Sequence, residues 1–149
     1  MRYLLDTCVL AELVKPRPDS NVVNWLKLQD ENRLYISVLT LGEISKGIEK
    51  LKDSVRKRKL HLWVENDLRE RFRGRILPIN EQVAMIWGQI QGRAEMKGNK
   101  VPAVDGLIAA TGLAFNMAVV SRNISDMKAS GAVLIDPWNL KGLGQHLDT

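Results

Sequence analysis

Apolar residues fall into two patterns along this 149-residue chain. Five short runs, RYLL (2–5), RLYISV (33–38), ILPI (76–79), AVVS (118–121) and AVLID (132–136), predict buried strands. Between them the apolar positions recur at helical spacing. VLAELVK forms a helix ended by the prolines of KPRP, and SNVVNWLKLQ (20–29) one with Ser20 as N-cap. TLGEISKGIEKLK forms a helix opened by Thr40, and the basic stretch after it continues helical to about Phe72. EQVAMIWGQIQGRAEMKG is stopped by Gly98, VPAVDGLIAATGLAFN has Pro102 in its first turn, and a short helix starts near Asn123.

Short apolar strands alternating with helices predict an α/β fold: a parallel sheet of about five strands, flanked by helices on both faces. Right-handed crossovers then leave few topologies, and in them ligands sit beyond the carboxyl ends of the strands, where strand order reverses. Repeats and linkers are absent, so residues 1–149 are expected to form one domain.

Composition narrows the function classes. No apolar run approaches the ~18 residues of a membrane span, and the apolar start of MRYLLD is short and broken by an acid, so a cytoplasmic protein is expected. Cys8 is the only cysteine, and the two histidines, His61 and His146, lack ligand spacing, which argues against zinc. A net charge of +5 favours polyanionic partners. Residues 50–75 hold ten Lys and Arg against four acids, a pattern of either a solvated helix face or a track for RNA or a partner.

The candidate chemistry lies in carboxylates at strand ends and helix starts. Asp6 ends the first strand, Glu43 and Asp105 are expected in the first turns of their helices, and Asn123 and Asp126 follow the fourth strand. Each has an ordinary structural role open to it: Asp6 as a cap, Thr40 and Glu43 as a capping box, Asp105 as a complement to the helix dipole, Asn123 with Asp126 as another cap. The predicted sheet would gather all of them at one edge. Two carboxylates ~4 Å apart repel by about 4 kcal/mol at an effective dielectric of 20, so such a cluster calls for a cation. Oxygen-only ligands point to Mg²⁺ or Mn²⁺, and hard cations held by carboxylates suit phosphate chemistry.

Four blocks in order, LLDTCVLAELV, VLTLGEISKGI, AVDGLIAATGLAFN and AVVSRNISDM…GAVLIDPWN, resemble the PIN-domain ribonucleases, specifically VapC-type toxins near the FitB group. The resemblance covers nearly the whole chain. It implies a Mg²⁺- or Mn²⁺-dependent endoribonuclease in which Asp6 and Asp105 are the principal ligands. Glu43 would act through water, on a second metal, or in activating the attacking water. Asn123 stands where the family often has a fourth acid, Asp126 would reach the metal through water, Ser121 is the small hydroxyl residue near it, and Arg122 would steady a phosphate. Cys8 replaces an asparagine common in the family; it is either a small core filler or a soft thiol beside the pocket. The implied reaction is in-line attack of water on an RNA phosphodiester. The implied partners are an RNA substrate, a small antitoxin, a second copy in a homodimer, and operator DNA only through the antitoxin. Two other readings stay open: an RNA-processing PIN nuclease without antitoxin, and a catalytically silent PIN-like binding module. The four tryptophans (Trp25, Trp63, Trp87, Trp138) are either base-stacking or, for Trp25 and Trp87 with their helical apolar neighbours, packing residues.

Overall fold

The computed structural model describes residues 1–139; His146 lies outside the described residues. Five strands form one sheet: β1 (Tyr3–Leu5), β2 (Leu34–Ser37), β3 (Ile76–Leu77), β4 (Ala118–Val120) and β5 (Leu134–Ile135). Their spatial order is β3-β2-β1-β4-β5, and every pairing is parallel. The chain therefore builds outwards from β1 to one edge, returns, and builds outwards through β4 to the other. The reversal of order falls between β1 and β4.

Each strand runs unbroken in apolar character because both faces of the sheet are covered. Leu5, Ile36, Val120 and Ile135 point into one core, with Val9, Leu10, Val22, Trp25, Leu68 and Phe72. Leu4, Val119 and Leu77 point into the other, with Val83, Ile90, Ile108 and Met127. Helices α1 (Thr7–Leu13) and α2 (Ser20–Lys27) cover the first face, and α6 (Glu81–Met96) and α7 (Ala103–Ala114) the second. Leu4 and Leu5 are both fully buried, each worth about 1.5–3 kcal/mol relative to exposure. Trp25 meets Tyr3 edge-on at 5.0 Å, and Trp87 Nε1 donates to the carbonyl of Ala103 at 3.2 Å, so both are packing residues.

Two helix starts differ from the sequence reading. Asp19, not Ser20, caps α2, accepting from the N–H groups of Asn21 and Val22. A carboxylate answers the partial positive charge of those amides better than a hydroxyl does. Helix α3 (Val38–Glu49) starts at once from β2, capped by Ser37, whose Oγ accepts from Leu39 N at 3.0 Å. Thr40 is thus already inside the first turn and Glu43 inside the second. The capping box is not formed, and the Glu43 carboxylate is free for other contacts.

The basic segment is also not continuous with α3. The chain turns at 50–54, and α4 (Val55–Leu62) begins afresh with Ser54 Oγ accepting from Lys57 N. The ammonium of Lys57 donates to the carbonyls of Glu49 and Leu51, closing the end of α3. A π-helical turn (Trp63–Leu68) leads into the short α5 (Arg69–Arg71) and brings Leu68 and Phe72 into the core. Most of this segment's arginines are engaged. Arg71 grips both carboxylate oxygens of Glu31, Arg75 donates to the carbonyls of Glu31 and Leu34, and Arg58, Arg69 and Arg73 pair with Asp53, Glu65 and Glu70.

Helix α7 ends in a Schellman turn, with Asn116 at φ 60° and Met117 N donating to Gly112 O at 2.8 Å. Gly112 lies where α7 crosses β4: a Cβ there would stand 2.6 Å from Val119 Cγ2 and 3.2 Å from Met117 O. A Cβ on Gly92, midway along α6, meets nothing within 4 Å. Gly112→Ala is expected to destabilise the protein by about 1–3 kcal/mol through overpacking, and Gly92→Ala to stabilise it by about 0.5–1 kcal/mol. Urea unfolding of the two variants checks both signs; equal effects would remove the close crossing as a constraint on the fold.

Candidate active site

Asp6 follows β1 directly, and its N–H still donates to Val120 O at 2.9 Å, so it is the last residue that the β1–β4 ladder holds. It lies at the reversal of strand order and is 4% exposed. Its Oδ1 accepts the N–H of Thr7 at 2.8 Å, which makes it the cap of α1. Its Oδ2 accepts the hydroxyl of Ser121 at 2.7 Å. Ser121 is itself fully buried, donates its N–H to Ile135 O, and accepts the N–H of Asn123 at 2.9 Å. A carboxylate this buried is costly without such bonds. Capping and site geometry are therefore one arrangement, with each oxygen of Asp6 holding a different strand end.

Thr7 turns the other way. Its hydroxyl donates to Glu43 Oε1 at 2.5 Å and lies 3.3 Å from Thr40 Oγ1, fixing the half-buried Glu43 over the start of α1. The sequence reading passed over Thr7; the signal was its place beside Asp6 in the D-T pair that follows β1.

Asp105 sits in the first turn of α7, half-buried. Its carboxyl is pushed up to about 6, first by burial and then by the negative charges of Asp6, Asp126 and Glu43. Three acids from distant stretches of sequence thus act on Asp105. Asp126 is exposed in α8 (Ile124–Met127), and Asn123 occupies the position before that helix without a side-chain capping bond. Neither Asp105 nor Asp126 is held by a side-chain hydrogen bond among the described residues. No group of three of the His, Cys, Asp and Glu side chains described converges on a single point.

Cys8 lies beside this cluster as well as against the core. Its Sγ is 3.9 Å from Asp6 Oδ2 and 3.7 Å from Ser121 Oγ, and it accepts the N–H of Arg122 at 3.5 Å. Burial pushes its thiol up, so it is a neutral neighbour of Asp6 at pH 7. The side chain of Arg122 lies over the Trp138 ring, 5.3 Å from its centroid.

A parallel five-stranded sheet with an acidic cluster at its reversal point is the arrangement that the sequence blocks implied, and the PIN domain family model matches residues 3–128. The chain belongs to the PIN-domain family. Toxin FitB of Neisseria gonorrhoeae is 35% identical over 136 residues, covering 91% of this chain and 98% of that protein. VapC ribonuclease Y4jK of Sinorhizobium fredii is 30% identical over 135 residues, covering 91% and 96%. Among solved structures, the FitAcB complex of Neisseria gonorrhoeae contains a chain that superposes with a TM-score of 0.88 at 36% identity, covering 93% of this chain and 99% of that one. A VapBC complex of Rickettsia felis bound to a promoter DNA fragment gives 0.72 at 25% identity, covering 91% and 98%.

The raised carboxyl of Asp105 gives this PIN domain a testable pH dependence. A proton on Asp105 binds the folded protein more tightly than the unfolded chain, whose value is 3.8. Its stabilisation is complete below pH 3.8 and is lost as pH rises through about 6. In EDTA the wild type should therefore lose about 1 kcal/mol relative to Asp105→Asn across that window, after discounting for solvent screening. Glu12 and Glu31, lowered chiefly by hydrogen bonds from Lys15 and Arg71, lose their contribution as pH falls below 4.5, but they do so in both proteins and leave the difference unchanged. Calorimetric melting of both proteins against pH reads the difference; a constant gap would show Asp105 to be free of the other acids.

Proposed function

We propose that this PIN domain is a metal-dependent endoribonuclease and the toxin half of a toxin–antitoxin pair, acting in the cytoplasm. The observation that carries it is the gathering of acids near the sheet's reversal point, where the charges of Asp6, Asp126 and Glu43, from three other stretches of sequence, all act on the half-buried Asp105. The kinship to a toxin and to a ribonuclease over nine-tenths of the chain supports the same reading.

The donor set suits a hard divalent cation: it is all oxygen, over-charged by its own neighbours, and without histidine. Asp6 and Asp105 would be the principal ligands of Mg²⁺ or Mn²⁺, with Glu43, Asp126 and the amide oxygen of Asn123 more distant. Asp6 is held by Thr7 and Ser121, while Asp105 and Asp126 are free to close on the cation, which accounts for the absence of a preassembled cage. When bound, the cation would supply activation of a water and neutralisation of charge on the phosphoryl oxygens. Glu43, oriented through Oε1 by Thr7, would act through water, on a second metal, or in activating the attacking water. Ser121 is a positioning residue that acts through Asp6. In-line attack would leave a 5′-phosphate and a 3′-hydroxyl.

The FitAB and VapBC structures are toxin–antitoxin complexes, some bound to DNA. That kinship supports a small antitoxin as the partner of this chain and the route by which it would reach operator DNA; a homodimer belongs to the same proposal.

The test incubates purified, antitoxin-free protein with total RNA in Mg²⁺, Mn²⁺ or EDTA, beside Asp6→Asn. Discrete cleavage is expected with either cation, none in EDTA, and a loss of about 100-fold or more in the variant. Folded wild type that cuts no RNA under either cation would overturn the nuclease reading in favour of a silent binding module.

A further inference from the structure

Beside the acidic cluster lies a polar groove of about 460 Å³, lined by residues 98–101 of the turn between α6 and α7 and by Ser125, Asp126, Lys128 and Ala129. It shares Asp126 with the cluster, one of the acids whose charge acts on Asp105. Both walls are firm. On one side Gly98 (φ 72°) closes a Schellman turn, with Asn99 N donating to Ala94 O at 2.8 Å. On the other, Ser130 Oγ donates to Met127 O at 2.6 Å and Gly131 (φ 84°) ends the turn that carries Lys128.

We propose that this groove holds the RNA backbone beside the cleaved bond, with Lys100 and Lys128 as its phosphate-positioning residues; this rests on the nuclease reading above. A pocket of four carboxylates repels a polyanion, so a strand delivered there needs compensating cations close by. Lys100 and Lys128 are exposed, line the same groove as Asp126, and form no ion pair or hydrogen bond among the described residues. The side chains of Asn99 and Ser125 add neutral donors to the same walls. In the richer basic stretch at 50–75, Arg58, Arg69, Arg71, Arg73 and Arg75 are already paired with acids and Lys57 with carbonyls, and the remaining Lys50, Lys52, Arg56 and Lys59 do not line this groove.

The experiment uses the full chain and a fluorescein-labelled, mixed-sequence single-stranded RNA, with anisotropy in EDTA across a salt series. The proteins are wild type, Lys100→Ala, Lys128→Ala, the double variant, and Lys52→Ala with Lys59→Ala as a charge-matched control. Each groove lysine should reduce the slope of log K against log salt by about 0.7, and the control should not. In Mg²⁺ the double variant should raise KM for a cleaved RNA about tenfold with kcat little changed. An unchanged slope and KM in the double variant, or an equal fall in the control, would overturn the groove assignment while leaving the nuclease standing. If the wild type cuts no RNA at all, the nuclease reading falls instead, and the EDTA slopes still decide whether the groove binds the strand.

Discussion

The buried carboxylate of Asp6 is the constraint on which the rest of the site depends. A carboxylate at 4% exposure must have its oxygens occupied, and they are: one by the first amide of α1, the other by the Ser121 hydroxyl. The second of these bonds joins the ends of β1 and β4, the neighbouring strands between which strand order reverses. The hydroxyl is in turn aligned by the amide of Asn123. The carboxylate is thereby fixed before any ligand arrives, and a residue that caps a helix is also the rigid member of an acidic cluster.

Around that fixed point the remaining acids differ in how tightly they are held. Glu43 is oriented by Thr7, while Asp105 and Asp126 have no side-chain hydrogen bonds among the described residues and are restrained by the backbone of α7 and α8 alone. Fixing all four close together would cost several kcal/mol of repulsion in the metal-free protein. Leaving two of them free keeps that cost low, and the raised carboxyl of Asp105 marks what remains. A site of this kind trades a ready-made cage for a metal-free protein that stays folded.

Much of this was legible in the sequence. The unbroken apolar runs gave the strands to within two residues at each end, because a sheet covered on both faces needs no polar alternation. Asp6, Asp105 and Asp126 occupy the strand-end and helix-start positions expected of them. The misses have a common cause in choices among adjacent polar residues. Ser37 and Thr40 are both good caps, and which one is used depended on where β2 ended; that choice moved Glu43 out of the first turn and dissolved the expected capping box. Asp19 outcompeted Ser20 in the same way. The D-T pair marked Thr7 as a neighbour of Asp6, but its bond to Glu43 was not legible, since it needs the crossing of α1 over α3 to bring residues 7 and 43 to 2.5 Å.

The fate of the basic residues shows why charge counted along a chain is a poor guide to where a polyanion binds. The stretch at 50–75 has the highest density of cations, yet Glu31, Asp53, Glu65 and Glu70 neutralise most of its arginines. Exposed pairs of this kind add at most about 1 kcal/mol each to stability, but they withdraw a guanidinium from other partners. Lys100 and Lys128 belong to no conspicuous run, and only the fold sets them in one groove next to four acids. On the proposed reading of the groove, their unneutralised charge would offset the field of Asp126 on the same walls, and that local balance, rather than the chain's net +5, would govern how a strand is brought in.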